Sequence, residues 1–66
     1  MRKWLKELRE KNMMSQQNVA LMLGISQQYY HLIENGDRQQ KMTIELAAKL
    51  SKVFGVTIEY IMEQEN

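Results

Sequence analysis

A chain of 66 residues with 44% hydrophobic and 26% charged side chains has material for one small core and no second one. It has no cysteine and a single histidine, which excludes a disulfide framework and the usual zinc sites, so no metal or other cofactor is expected. Its net charge is only +1, and its longest apolar stretches, such as 19–23, fall far short of the roughly 20 residues of a membrane span.

The start, Met1-Arg2-Lys3, continues into an amphipathic segment without an apolar signal core, so the expected location is the cytoplasm. The charge is unevenly spread. Residues 1–42 hold seven basic against four acidic side chains, net +3, and residues 43–66 hold two against four, net −2. The chain is polarised, with a mildly positive front and an acidic tail.

Trp4, Leu5 and Leu8 recur at helical spacing within Arg2 to Lys11, with Lys and Glu between them, which predicts a first amphipathic helix. Asn12 and Met13 break it. Ser15 is a natural N-cap for a second helix over Gln16 to Leu23, whose stripe is Val19, Ala20 and Leu23 and whose stop is Gly24. Ser26 caps a third helix, Gln27 to Asn35, which turns Tyr30 and Ile33 inward and stops at Gly36. Residues 37–42 are polar and aperiodic, the longest loop expected. Thr43 caps a fourth helix with Ile44, Ala47, Leu50 and Phe54 on one face, widened by Leu46 and Val53 and ended by Gly55. Thr57 caps a short last helix carrying Ile58, Ile61 and Met62, which is expected to fray over residues 63–66.

Residues 15–36 thus have the helix, glycine turn, helix layout used to dock on DNA. Ala20 is small where the two helices cross, Gly24 relieves a left-handed turn, and Ile25, Tyr30 and Ile33 anchor the second helix of the pair. The face left free carries Gln27, Gln28, Tyr29 and His31 near its N-terminal end, where recognition helices meet base edges. A glutamine amide offers a donor beside an acceptor and pairs bidentately with the N6 and N7 edge of adenine. A tyrosine adds a hydroxyl for phosphate and a ring for a thymine methyl.

At these residues the sequence resembles the phage repressor and Cro family, also called the xenobiotic-response-element family, from Leu5 to Met62. Leu5, Leu8 and Arg9 fit its first helix, Ser15-Gln16 the start of its second, Ala20 and Gly24 its turn, Ile33-Glu34-Asn35-Gly36 the end of its recognition helix, and 54–58 the junction before its fifth. The resemblance implies an all-α, five-helix repressor-like domain over 1–66 that binds double-stranded DNA. It implies that Gln16 contacts a phosphate, that Gln27 and Gln28 read bases, and that Arg9 and Glu34 form a structural ion pair. It also points to the last helix as a homodimer surface, with Tyr60 and either Ile58 or Ile61 exposed on it.

Leu32 departs from the family's basic or polar residue, Met42 lies near its frequent proline, and Leu21 and Met22 replace polar residues. Arg38, Lys41 and the N-terminal basic residues are the expected phosphate contacts. Trp4, the leucines and several methionines, Met14 above all, read as core. With one histidine and scattered carboxylates, no nucleophile and base can be assembled, so no enzyme is expected. The expected function is sequence-specific control of transcription, as a repressor dimer on a palindromic operator and without an attached sensing or cleavage domain. The alternative is a protein-interaction module, antitoxin-like or coactivator-like, that binds a protein partner through Leu21, Met22 and Leu32.

Overall fold

The computed structural model describes residues 1–36 and 40–66. Among them run five helices: α1 (Lys3–Lys11), α2 (Gln16–Leu23), α3 (Gln27–Asn35), α4 (Ile44–Phe54) and α5 (Ile58–Gln64). Four begin at a side-chain cap. Ser15 Oγ accepts from Asn18 N at 3.0 Å while Asn18 Oδ1 accepts from Ser15 N at 3.2 Å, a reciprocal capping box. Ser26, Thr43 and Thr57 each accept from the backbone N–H three residues on, at 3.1, 3.1 and 3.0 Å. A cap of this kind satisfies an otherwise orphaned donor and is worth about 1 kcal/mol.

Helices α2 and α4 stop where Gly24 and Gly55 adopt φ of 73° and 68°, a conformation in which any Cβ is strained. Helix α1 reaches the same end without glycine. Met13 takes φ 57°, and the turn is held by Met13 N to Glu10 O at 2.9 Å and Met14 N to Arg9 O at 3.1 Å.

Leu5 of α1, Val19, Ala20 and Leu23 of α2, Tyr30 and Ile33 of α3, Ala47, Leu50 and Phe54 of α4 and Ile61 of α5 bury one shared core. Helices α2, α3 and α4 supply stripes at three- and four-residue spacing, the geometry of an amphipathic helix, and α1 and α5 each add one fully buried residue. Met14, Leu46, Val53 and Ile58 pack on its margin.

Two expected apolar positions are exchanged. Ile44, read as the first residue of the α4 core stripe, is 69% exposed. It stands in the first turn, and helical Cβ atoms lean toward the N-terminus, so its side chain projects past the end of the helix and beyond the core. Ile61, read as a possible dimer contact, is fully buried. It faces α4 as the inward residue of α5, which leaves Tyr60 as the exposed large apolar side chain on that helix.

The tail expected to fray is fastened. The Arg2 guanidinium is 3% exposed. Its Nε meets both carboxylate oxygens of Glu65 at 3.0 Å, Nη2 donates to Gln40 O at 2.6 Å, and Nη1 donates to Ile33 O. Trp4 Nε1 donates to the same carboxylate at 3.0 Å. Arg2, expected among the phosphate contacts, therefore has its donors committed inside the molecule.

Candidate nucleic-acid interface

The exposed side of α3 follows from its buried side. Tyr30, Ile33 and Glu34 face inward, so at 100° per residue Gln28 and Leu32 point outward, while His31 and first-turn Gln27 flank them on the side of Gln16. Together with Gln16 from the start of α2 they line one open concavity of about 610 Å³. The site is thus built from two helix beginnings, each set by its serine cap.

Not every expected residue joins it. Tyr29 is exposed but lines a separate hollow with Ile25, Thr43 and Lys49 against α4. Lys41 is exposed in the segment before Thr43 and is not among the residues lining the concavity. Arg38 lies outside the described residues. Leu32 does line the concavity. Its place there follows from its four-residue spacing from Gln28, and its apolar side chain suits a thymine methyl rather than a phosphate.

Behind this surface runs a chain of polar contacts. Arg9 of α1 grips Glu34 of α3 in a fork, Nε to Oε2 at 2.9 Å and Nη2 to Oε1 at 3.0 Å, and its Nη1 donates to Met14 O at 2.9 Å. Glu34 Oε1 also accepts from Gln16 Nε2 at 3.3 Å. Gln16 Oε1 in turn stands 3.3 Å from His31 Nδ1. Asn35 Nδ2 donates to His31 O at 3.2 Å and approaches His31 Nδ1 at 3.3 Å.

Burial by itself pushes the Glu34 carboxyl up, but the Arg9 hydrogen bonds, aided by Tyr30 and Gln16, outweigh it and hold the carboxyl below its usual range. The Arg9 guanidinium is correspondingly pushed up, first by its hydrogen bonds to Glu34. Tyr30 is held in its neutral form, chiefly by burial and then by the adjacent Glu34 charge. Its hydroxyl is close enough to Glu34 to influence the carboxyl yet falls short of hydrogen-bond geometry, and it is the buried side-chain oxygen left without a partner among the described residues.

Among the described residues no group of three or more His, Cys, Asp and Glu side chains is placed to hold a metal, and no helix is long and apolar enough to cross a membrane. The concavity offers amides, an imidazole and an apolar side chain, a set for hydrogen-bonded reading of a surface.

A family model described as helix-turn-helix matches residues 5–61, from the first to the last buried core residue and across both helices of the site. The chain belongs to the Cro/C1-type helix-turn-helix family. That family is one of DNA-binding transcription regulators, and in this member of it the α2–α3 pair is the helix-turn-helix. No curated protein and no solved structure matches the chain.

Proposed function

We propose that this helix-turn-helix protein is a sequence-specific transcriptional repressor that docks α3 in the major groove of a palindromic operator and acts as a dimer. The observation that carries the reading is the convergence of Gln16, Gln27, Gln28, His31 and Leu32 on one open concavity that runs from the N-terminal end of α3 to its middle, the part that recognition helices present to bases. Gln27 and Gln28 read base edges there, and Lys41 and Arg38 meet phosphates.

A single module of this kind buries about 600–1,000 Å² of its own surface on DNA, too little for strong discrimination, and pairing on half-sites one helical turn apart remedies that. The exposed Tyr60 with the half-buried Ile58 beside it supplies the pairing surface in this reading. The whole chain then acts as one DNA-binding unit in the cytoplasm, without catalysis.

One observation favours a second reading. Leu21 and Met22 are 72% and 62% exposed on adjacent positions of α2, and contiguous exposed apolar side chains mark partner surfaces. In that reading the fold binds another protein.

Selection of sites from a random duplex pool, followed by affinity at several salt concentrations, separates the two. An enriched palindrome whose base preferences are lost in Gln27→Ala and Gln28→Ala, with a salt slope of several released counterions, supports the repressor. No enrichment, with only weak salt-sensitive binding, refutes it.

A further inference from the structure

The polar chain behind the concavity fixes more than the helices. Glu34, forked by Arg9, is a carboxylate at neutral pH and accepts hydrogen bonds without donating any. Gln16 must therefore turn its NH₂ group toward Glu34. The same amide then turns its carbonyl oxygen toward His31 Nδ1, and an amide oxygen only accepts. The proton of a neutral His31 must sit on Nδ1, which leaves Nε2 on the far edge of this exposed ring as a bare acceptor.

Asn35 Nδ2 stands at the same 3.3 Å from Nδ1 and asks for the opposite arrangement. Its amide carries a second hydrogen that a bare Nδ1 could accept, so the two neighbours compete. The exposed Asn35 keeps its bond to the His31 carbonyl at 3.2 Å under either tautomer, whereas Glu34 prevents the Gln16 amide from turning over. A bare Nδ1 would therefore leave the Gln16 oxygen facing a lone pair, and we take the Gln16 contact as the deciding one.

We propose that His31 is a specificity-determining residue that accepts a hydrogen bond from an exocyclic amino group, adenine N6 or cytosine N4, and that Glu34, acting through Gln16, sets the tautomer that makes it do so. The inference rests on the DNA reading above. Those amino groups are the hydrogen-bond donors of the major groove, while guanine N7 and O6, thymine O4 and the phosphates present acceptors. His31 shares the concavity with Gln27 and Gln28, so on the strand it faces it selects A or C over G or T. Gln16 and Glu34 are positioning residues, since they act through the imidazole.

The tautomer is measured first, on the free full-length chain at pH 8 by ¹⁵N spectroscopy of the imidazole, unambiguous because the chain has one histidine. The expected result is a protonated Nδ1 and a bare Nε2, reverting in Gln16→Met toward the Nε2–H form that unconstrained histidines favour. Site selection at the same pH then compares wild type, His31→Ala and Gln16→Met. Wild type is expected to prefer A or C at one position by about 2- to 12-fold, the worth of one neutral hydrogen bond. Both variants are expected to lose that preference while the positions read by Gln27 and Gln28 keep theirs.

A protonated Nε2 in the free wild type, an operator whose preferences all survive His31→Ala, or a preference for G or T at the position lost, each overturns this inference and leaves the DNA reading standing. A wild-type chain that enriches no sequence brings down the DNA reading itself, whichever tautomer is found.

Discussion

Replacing Arg9 by methionine keeps most of the aliphatic stem and deletes the fork that holds Glu34. The carboxylate is 1% exposed and would keep Gln16 Nε2, at 3.3 Å, as its side-chain donor. Leaving one member of a buried pair uncompensated costs about 3–5 kcal/mol. Protonation sets a ceiling on the charge penalty. Neutralising a carboxyl of ordinary pKa, about 4.3, at pH 7 costs about 3.7 kcal/mol, so Glu34 takes up a proton before paying more. The expected loss at pH 7 is therefore about 3–4 kcal/mol. For a chain of this length total stability is about 3–10 kcal/mol, so the variant is marginal.

The pH dependence then changes sign. In the wild type the Glu34 carboxyl lies below its unfolded value, so its stabilisation is complete above about pH 4.3 and is lost only as pH falls through the folded pKa. In Arg9→Met burial without the arginine raises that carboxyl, and stability from Glu34 increases as pH falls. The difference between variant and wild type, which cancels groups common to both, should shrink by about 1–2.7 kcal/mol between pH 7 and pH 5. Urea unfolding followed by circular dichroism at the two pH values measures it. A loss below about 1 kcal/mol at pH 7, or a loss unchanged at pH 5, would refute the account of Glu34 as a buried, ionised carboxylate.

Arg2→Met should cost about 2–3 kcal/mol, less than Arg9→Met because water can reach Glu65, whose side chain is 21% exposed. For a chain of this size the midpoint of a thermal melt would fall by about 8–24 °C, and a drop under about 4 °C would count against the clasp. Tyr30→Phe removes a buried hydroxyl that has no hydrogen-bond partner among the described residues, so stability should be unchanged or rise by up to about 1–2 kcal/mol. A clear loss in the same melt would show that the hydroxyl is bonded after all.

What was legible in the sequence is what neighbours in the chain decide. Ser15, Ser26, Thr43 and Thr57 announce helix starts because a cap acts over three residues, and Gly24 and Gly55 announce stops because their strain is local. The stripe of α4 was read correctly at Ala47, Leu50 and Phe54 and failed at Ile44, where periodicity continues past the edge of the core. Ile61 carries the same signal as Ile58, and only packing against α4 tells which of them is buried. The surface of α3 was readable once Tyr30 and Ile33 were placed inside, and Leu32 belonged to it by the same spacing. The Arg9–Glu34 fork entered through the family resemblance, and no spacing along the chain implies it. The path from Gln16 to His31 depends on how α2 meets α3, which sequence periodicity does not specify.

The bonds between Arg2 and Glu65 join residues 63 positions apart. Most of the fold is made of nearer associations, α2 with α3 and α4 with α5, which form quickly because little loop entropy opposes them. A contact that closes so long a loop is expected to form after those are in place. Its energy then belongs to the barrier to opening rather than to the folding barrier, so the clasp is expected to work as a latch, lengthening the lifetime of the folded molecule and leaving the speed at which it assembles nearly untouched.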